Sequence, residues 1–264
     1  MTQPPFEDLL ALVEDRSAVL RESAAGSPDL DVRVPSCPDW SLRDLVGHLT
    51  EVHRFWAAAV AAGPAERPPA VASADDALPD DALPDDAQPA GLLSRSALLS
   101  RSAGATQELI AALRAAGPAV GCWTWWGQSG VPMTSGAVAR HQVQEAAVHA
   151  FDAQLATGAP RPVPAAVALD GIPEFIGVSH GTAGPWPYEP ARIGLHAAEG
   201  ESWLLDLKAP GSRVPDGEPA TAADLHGPAS TLLLTLHGRL PLDSLRIQGD
   251  RATLENLLRW PNLD

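Results

Sequence analysis

The stretch SGAVARHQVQEAAVHAFDAQLATG, residues 135–158, is the part of the chain from which the fold is predicted. A hydroxyl side chain at Thr134 or Ser135 can cap its N-terminus, and Gly158 is a residue type that commonly follows a helix C-terminus. The stretch therefore predicts one long helix. The order of its side chains also predicts where the chemistry of the protein lies.

Four titratable residues fall on one side of this helix. At about 100° per residue, the side chains of His141, Glu145, His149 and Asp152 lie within about 80° of one another. Apolar residues share that sector and the opposite side is mostly alanine and glutamine, so we expect the titratable side to face inward. A buried carboxylate needs compensation, which a divalent cation provides well. Glu145 and His149 are one helical turn apart and can bind the same ion.

The spacing alone leaves several interpretations open. A buried glutamate and a histidine one turn away can also form a simple hydrogen-bonded pair, and the spacing by itself favours that interpretation. On the predicted second helix, His48 lies at the edge of the apolar stripe and His53 lies nearer its centre. Either can be a further ligand or a packed core residue, and His141 is a third candidate. Helical geometry does not choose among these three histidines.

Three more helices are predicted before this one. The first begins near Phe6, the second is capped by Ser41, and the third covers roughly residues 92–116. Four helices with long connections predict a helical bundle. Between the second and third helices, the repeat DDALPDDALPDDAQP combines paired aspartates with proline. This pattern is typical of a solvated, flexible insertion, here about residues 64–91.

The sequence pattern changes after the proline-rich residues 159–164. The segments ARIGLHA and SWLLDL alternate apolar and polar residues around a turn, which predicts a β-hairpin. A helix in PASTLLLTLHG, a short strand LRIQ and a terminal helix capped by Asp250 follow. We therefore predict an α+β protein with two domains, a helical one over residues 1–160 and a smaller α/β one over residues 161–264.

The bulk composition argues against several classes of protein. A net charge of −15 is unfavourable for nucleic-acid binding, which depends on clustered lysine and arginine. No apolar run approaches the ~20 residues of a membrane span, and the N-terminus is acidic where a signal peptide is basic. Cys37 and Cys122 form no disulfide framework and no CxxC pair, which fits a reducing compartment. We expect a cytoplasmic protein with neither nucleic-acid nor membrane partners.

Two segments resemble the signatures of a known family. VPSCPDWSLRDLVGHL, residues 34–49, resembles the first signature of the DinB-like, mycothiol-dependent maleylpyruvate isomerases, and RHQVQEAAVHAFDAQLATG resembles the second. That family joins a DinB-like metal-binding bundle to an α/β domain similar to sterol carrier proteins, so the resemblance covers nearly the whole chain. It implies a metal ion bound by His48, Glu145 and His149, with His53 and His141 outside the ligand set.

The resemblance also bears on the chemistry of the centre. Three protein ligands leave a fourth position open, which is typical of a catalytic zinc. Asp152, one turn beyond His149, can accept a hydrogen bond from a ligand imidazole and fix its tautomer, or it can cap the helix or pair with a neighbour such as Arg140. Where relatives usually read HRWDAE, residues 149–154 read HAFDAQ. The ligands are intact, so this departure concerns the substrate more than the metal.

The family implies that mycothiol supplies the nucleophile, because zinc lowers the pKa of a bound thiol. A thiolate can add to a conjugated double bond and leave after rotation, or it can remain attached to a small electrophile. The sequence is consistent with both an isomerase and a thiol S-transferase. The alternative is a non-catalytic metal- or thiol-binding, regulatory protein. A tryptophan-rich turn precedes the fourth predicted helix. Its aromatic side chains form either a wall of the cofactor cleft or ordinary core, and they are Trp123, Trp125 and Trp126.

Overall fold

A computed structural model describes residues 4–70, 93–208 and 221–261. The chain forms two compact units. The N-terminal unit consists of Pro5–Trp125 and Met133–Arg161, and the other unit contains Trp126–Pro132 and the chain from Pro162 onward. Most of the predicted Asp/Pro-rich insertion, from residue 71, lies outside the described residues. Within the described ranges, no helix is long and apolar enough to cross a membrane.

Four long helices build the N-terminal unit. Helix α2 packs against α3 and helix α1 packs against α4. Ser41, Ser94 and Thr134 each accept a hydrogen bond from a backbone N–H in the first turn of a helix, which explains where α2, α3 and α4 begin. The helices are α1 (Phe6–Gly26), α2 (Leu42–Ala62), α3 (Arg95–Ala116) and α4 (Ser135–Ala156).

Helix α4 is buried on more of its surface than the sequence predicted. The alanine side is buried too: Ala146 and Ala153 have no exposed surface, and Ala153 packs in a core cluster with residues of α1 and α2. On the titratable side, His149 and Asp152 are buried, whereas His141 is partly exposed and the Glu145 side chain is 24% exposed. The titratable side therefore faces inward at His149 and Asp152, as expected, and the opposite side is buried as well, which the sequence did not predict.

A short antiparallel hairpin precedes α2 and was not predicted from the sequence. Its strands are β1 (Arg33–Val34) and β2 (Cys37–Ser41), and its turn contains Pro35 and Ser36. The last residue of β2, Ser41, is also the N-cap of α2. The hairpin is therefore continuous with the helix that carries His48.

The C-terminal unit contains a four-stranded sheet with the strand order β4-β3-β5-β6. The predicted hairpin is present, since β3 and β4 pair in antiparallel fashion, whereas β3 and β5 pair in parallel. Neither β5 nor α5 was predicted. The described α and β elements confirm the α+β class. They are α5 (Ala165–Phe175), β3 (Ala191–Ala197), β4 (Ser202–Leu207), β5 (Ala223–Gly227), α6 (Ala229–Leu236), β6 (Arg246–Gly249) and α7 (Arg251–Arg259).

His180 should make the stability of the protein depend on pH. It ends the π-helical turn Ile176–His180, is buried, and packs against the rings of Phe175 and Trp260. Burial lowers the pKa of His180 to about 4, whereas an unfolded chain protonates histidine near about 6.5. Its contribution to stability is therefore complete above about pH 6.5 and is lost as the pH falls toward 4.

We expect His180→Leu to remove about 1 kcal/mol per pH unit from the pH dependence of the unfolding free energy in this window. Urea denaturation of the parent and the variant at pH 4.5 and pH 6, both inside this window, measures the difference between the two slopes. Because all other titrating groups are shared, they cancel in that difference. Equal slopes in the two proteins would contradict the prediction.

Candidate metal centre

Three potential ligand side chains converge between α2 and α4. His48 comes from α2, Glu145 and His149 come from α4, and one ligand atom of each lies within 4.8 Å of the other two. Glu145 Oε1 is 3.0 Å from His48 Nε2 and 3.3 Å from His149 Nε2. In the part of the chain that the structure describes, this is the only such group of three. Its donor atoms are those that zinc binds in proteins.

The three side chains are coupled electrostatically. Burial would raise the pKa of Glu145, but the charge and the hydrogen bonds of His149, together with His48, hold it well below its usual range. Burial would likewise lower the pKa of His149, but the carboxylates of Glu145 and Asp152 raise it to about 9. The centre therefore holds a carboxylate anion that is stabilised by positive charge. A divalent cation can provide the same compensation.

Asp152 orients His149 from the side away from Glu145. It has no exposed surface, and its Oδ2 accepts a hydrogen bond of 2.9 Å from Nδ1–H of His149. A proton on Nδ1 leaves the lone pair of Nε2 directed at the centre, which is the tautomer that a metal ligand requires. The other oxygen, Oδ1, accepts a hydrogen bond of 2.6 Å from Ser36 Oγ. Ser36 was not predicted, although it lies within the first family signature.

The two other candidate histidines lie outside the group. His53 is fully buried, and its Nδ1 lies 3.2 Å from Thr106 Oγ1 on α3. Burial lowers the pKa of His53 to about 4. His141 is one turn before Glu145, and its ring contacts Trp56 and Trp125 edge-on. Of the three histidines that helical geometry left open, the structure brings only His48 to the Glu145–His149 pair.

Aromatic rings border the group. The ring of Trp40 lies 4.6 Å from that of His48 and 6.2 Å from that of His149, measured between centroids, so it restricts both imidazoles. Trp123 packs against aromatic residues of α2, and Trp125 is 46% exposed. Trp126 is fully buried in the C-terminal unit and is ordinary core.

Residues 10–154 match the family model described as the mycothiol maleylpyruvate isomerase N-terminal domain. The chain belongs to the mycothiol-dependent maleylpyruvate isomerase family. This confirms the family that the two signatures predicted. Among curated proteins, none matches the chain.

Two crystal structures resemble the protein over nearly its whole length. One is of the mycothiol-dependent maleylpyruvate isomerase, with 15% sequence identity, a TM-score of 0.64 and 99% of each chain covered. The other is of a histidine-to-alanine mutant of that enzyme, with 14% identity, the same TM-score and the same coverage. At this level of identity, the likeness establishes a shared fold.

Proposed function

We propose that this protein is a metal-dependent enzyme of the mycothiol-dependent isomerase family. It uses mycothiol at a zinc centre held by His48, Glu145 and His149, for cis–trans isomerisation of a small electrophile or for transfer of the thiol to it. The observation that carries the proposal is the convergence of two imidazole nitrogens and one carboxylate oxygen from α2 and α4. Membership of this family supports mycothiol as the thiol.

The donor set fits a catalytic zinc ion. Two histidines and one carboxylate leave a coordination position for a ligand, and the side chains of His48 and Glu145 are 32% and 24% exposed, which leaves a route to it. When bound, zinc supplies a Lewis acid that favours the ionised form of a thiol at neutral pH. The chain itself supplies the negative charge of Glu145, the Nδ1 proton held between His149 and Asp152, and the restriction of His48 by Trp40.

The nucleophile is proposed to be an external thiol. Cys122 is buried, and burial raises the pKa of its thiol, which disfavours the nucleophilic thiolate form. Addition of an external thiolate to a conjugated cis double bond turns that bond into a single bond that can rotate. The electron pair of the double bond moves onto the conjugated carbonyl as an enolate. Collapse of the enolate expels the thiolate and yields the trans isomer, whereas uptake of a proton from water yields the S-transfer product. Both reactions begin with the same addition.

The test is turnover by purified, zinc-loaded protein. Maleylpyruvate is offered first, because the solved relatives are named for it, and a panel of other electrophiles follows, each with and without mycothiol. Loss of the cis substrate is followed by absorbance, and conjugates are detected by mass spectrometry. We expect product formation that requires both the thiol and the metal. Turnover that needs neither the thiol nor the metal contradicts the proposal. Binding of zinc and thiol without any turnover supports the non-catalytic alternative instead.

A further inference from the structure

We infer that Ser36 is a positioning residue for His149, and that the β1–β2 hairpin carrying it sets the relative placement of the ligands from α2 and α4. Because this role concerns His149 as a ligand, it rests on the proposed metal centre. The hydroxyl of Ser36 bonds to Asp152 and not directly to any of the three proposed ligands. It acts through the carboxylate of Asp152, which it contacts directly.

A continuous series of short polar contacts joins Ser36 to the centre. Ser36 Oγ donates to Asp152 Oδ1 at 2.6 Å, His149 Nδ1 donates to Asp152 Oδ2 at 2.9 Å, and His149 Nε2 lies 3.3 Å from Glu145 Oε1. A carboxylate whose two oxygens are held by two different donors cannot rotate without breaking one of these bonds. The Ser36 hydroxyl therefore keeps Oδ2 directed at the imidazole.

The hairpin contacts both helices that carry ligands. Ser36 reaches α4 through Asp152, the Trp40 ring packs against His48 and His149, and Ser41 caps α2. The hairpin is itself anchored by Val34, which has no exposed surface. The hairpin contacts α2 at its N-terminus and α4 beside a ligand, so together with the direct packing of α2 on α4 it holds the two sets of ligands at their separation. Removal of the Ser36 contact should therefore loosen the centre without removing a ligand.

The variants Ser36→Ala and Ser36→Thr test this role, and Ser17→Ala is the matched control. Ser17 is a fully buried serine of the same N-terminal unit, whereas Ser36 is half-buried, and the Ser17 hydroxyl donates to the Val13 carbonyl within α1. Zinc affinity is measured by competition with a chromophoric chelator. The absorption spectrum of the cobalt-substituted protein reports the geometry of the ligands.

We expect Ser36→Ala to weaken zinc binding about 3- to 10-fold, less than the ~10- to 100-fold typical of a partner in direct contact with a ligand. Its cobalt spectrum should differ from that of the parent. Ser36→Thr keeps the hydroxyl and should stay within about twofold of the parent in zinc affinity. Ser17→Ala should leave both the affinity and the spectrum unchanged.

The outcomes separate this role from the proposed function. If the parent binds zinc and Ser36→Ala has the same affinity and spectrum, Ser36 is not a positioning residue and the proposed function stands. Equal weakening by Ser36→Ala and Ser17→Ala, or failure of Ser36→Thr to retain the affinity, also overturns the role. If the parent itself binds no zinc, the proposed metal centre is wrong, and the role of Ser36 that rests on it is wrong as well.

Discussion

Glu145→Gln is expected to reduce zinc affinity by more than about 100-fold and to abolish mycothiol-dependent turnover. Loss of a residue that only supports a ligand already costs about 10- to 100-fold in affinity, so loss of the single anionic ligand should cost more. Glutamine has nearly the same shape but no charge, and it leaves two imidazoles to bind a dication. The zinc content of the variant after dialysis, measured by atomic absorption, and its turnover check the prediction.

The matched control for this variant is His141→Ala. His141 lies on the same helix, one turn before Glu145, and is outside the group of three. Its removal should leave the zinc content unchanged. The predicted ligand set is wrong if Glu145→Gln retains a full equivalent of zinc, or if His141→Ala loses as much zinc as Glu145→Gln does. His53→Ala offers the same comparison on α2, although the loss of a buried ring there is expected to lower stability.

Asp152→Asn is expected to weaken zinc binding about 10- to 100-fold while leaving the helical fold intact. Asparagine keeps the shape of aspartate but provides a weaker acceptor for Nδ1–H of His149, so the imidazole becomes a less basic ligand whose orientation is less well held. Chelator competition measures the affinity, and circular dichroism checks that the helices remain. An affinity within a factor of two of the parent would show that Asp152 has no such role.

A double-mutant cycle with Ser36 sharpens this second prediction. If Ser36 acts only through Asp152, then Ser36→Ala should add almost nothing to the effect of Asp152→Ala. Independent roles would instead give additive losses of zinc affinity. The cycle requires only the two single variants, the double variant and the parent, each titrated with the same chelator.

Much of the helical unit could be predicted because helix signals are local. The capping residues Ser41 and Thr134 identify where α2 and α4 begin, and each signal extends over only a few residues. The hairpin was missed because a strand of two residues, Arg33–Val34, carries no alternation. Strand β5 was missed because its parallel pairing with β3 depends on residues distant in the chain.

Within the centre, the sequence by itself determined that Glu145 and His149 lie one turn apart on one side of a helix, because helical geometry depends only on near neighbours. It also carried the family signature that pointed to His48. Only the tertiary structure placed His48 Nε2 beside Glu145 Oε1, 97 positions away in the chain, and Ser36 beside Asp152, 116 positions away. His53, about 140° around α2 from His48, faces α3 instead. Contacts over such separations depend on how the helices pack, which no local pattern specifies.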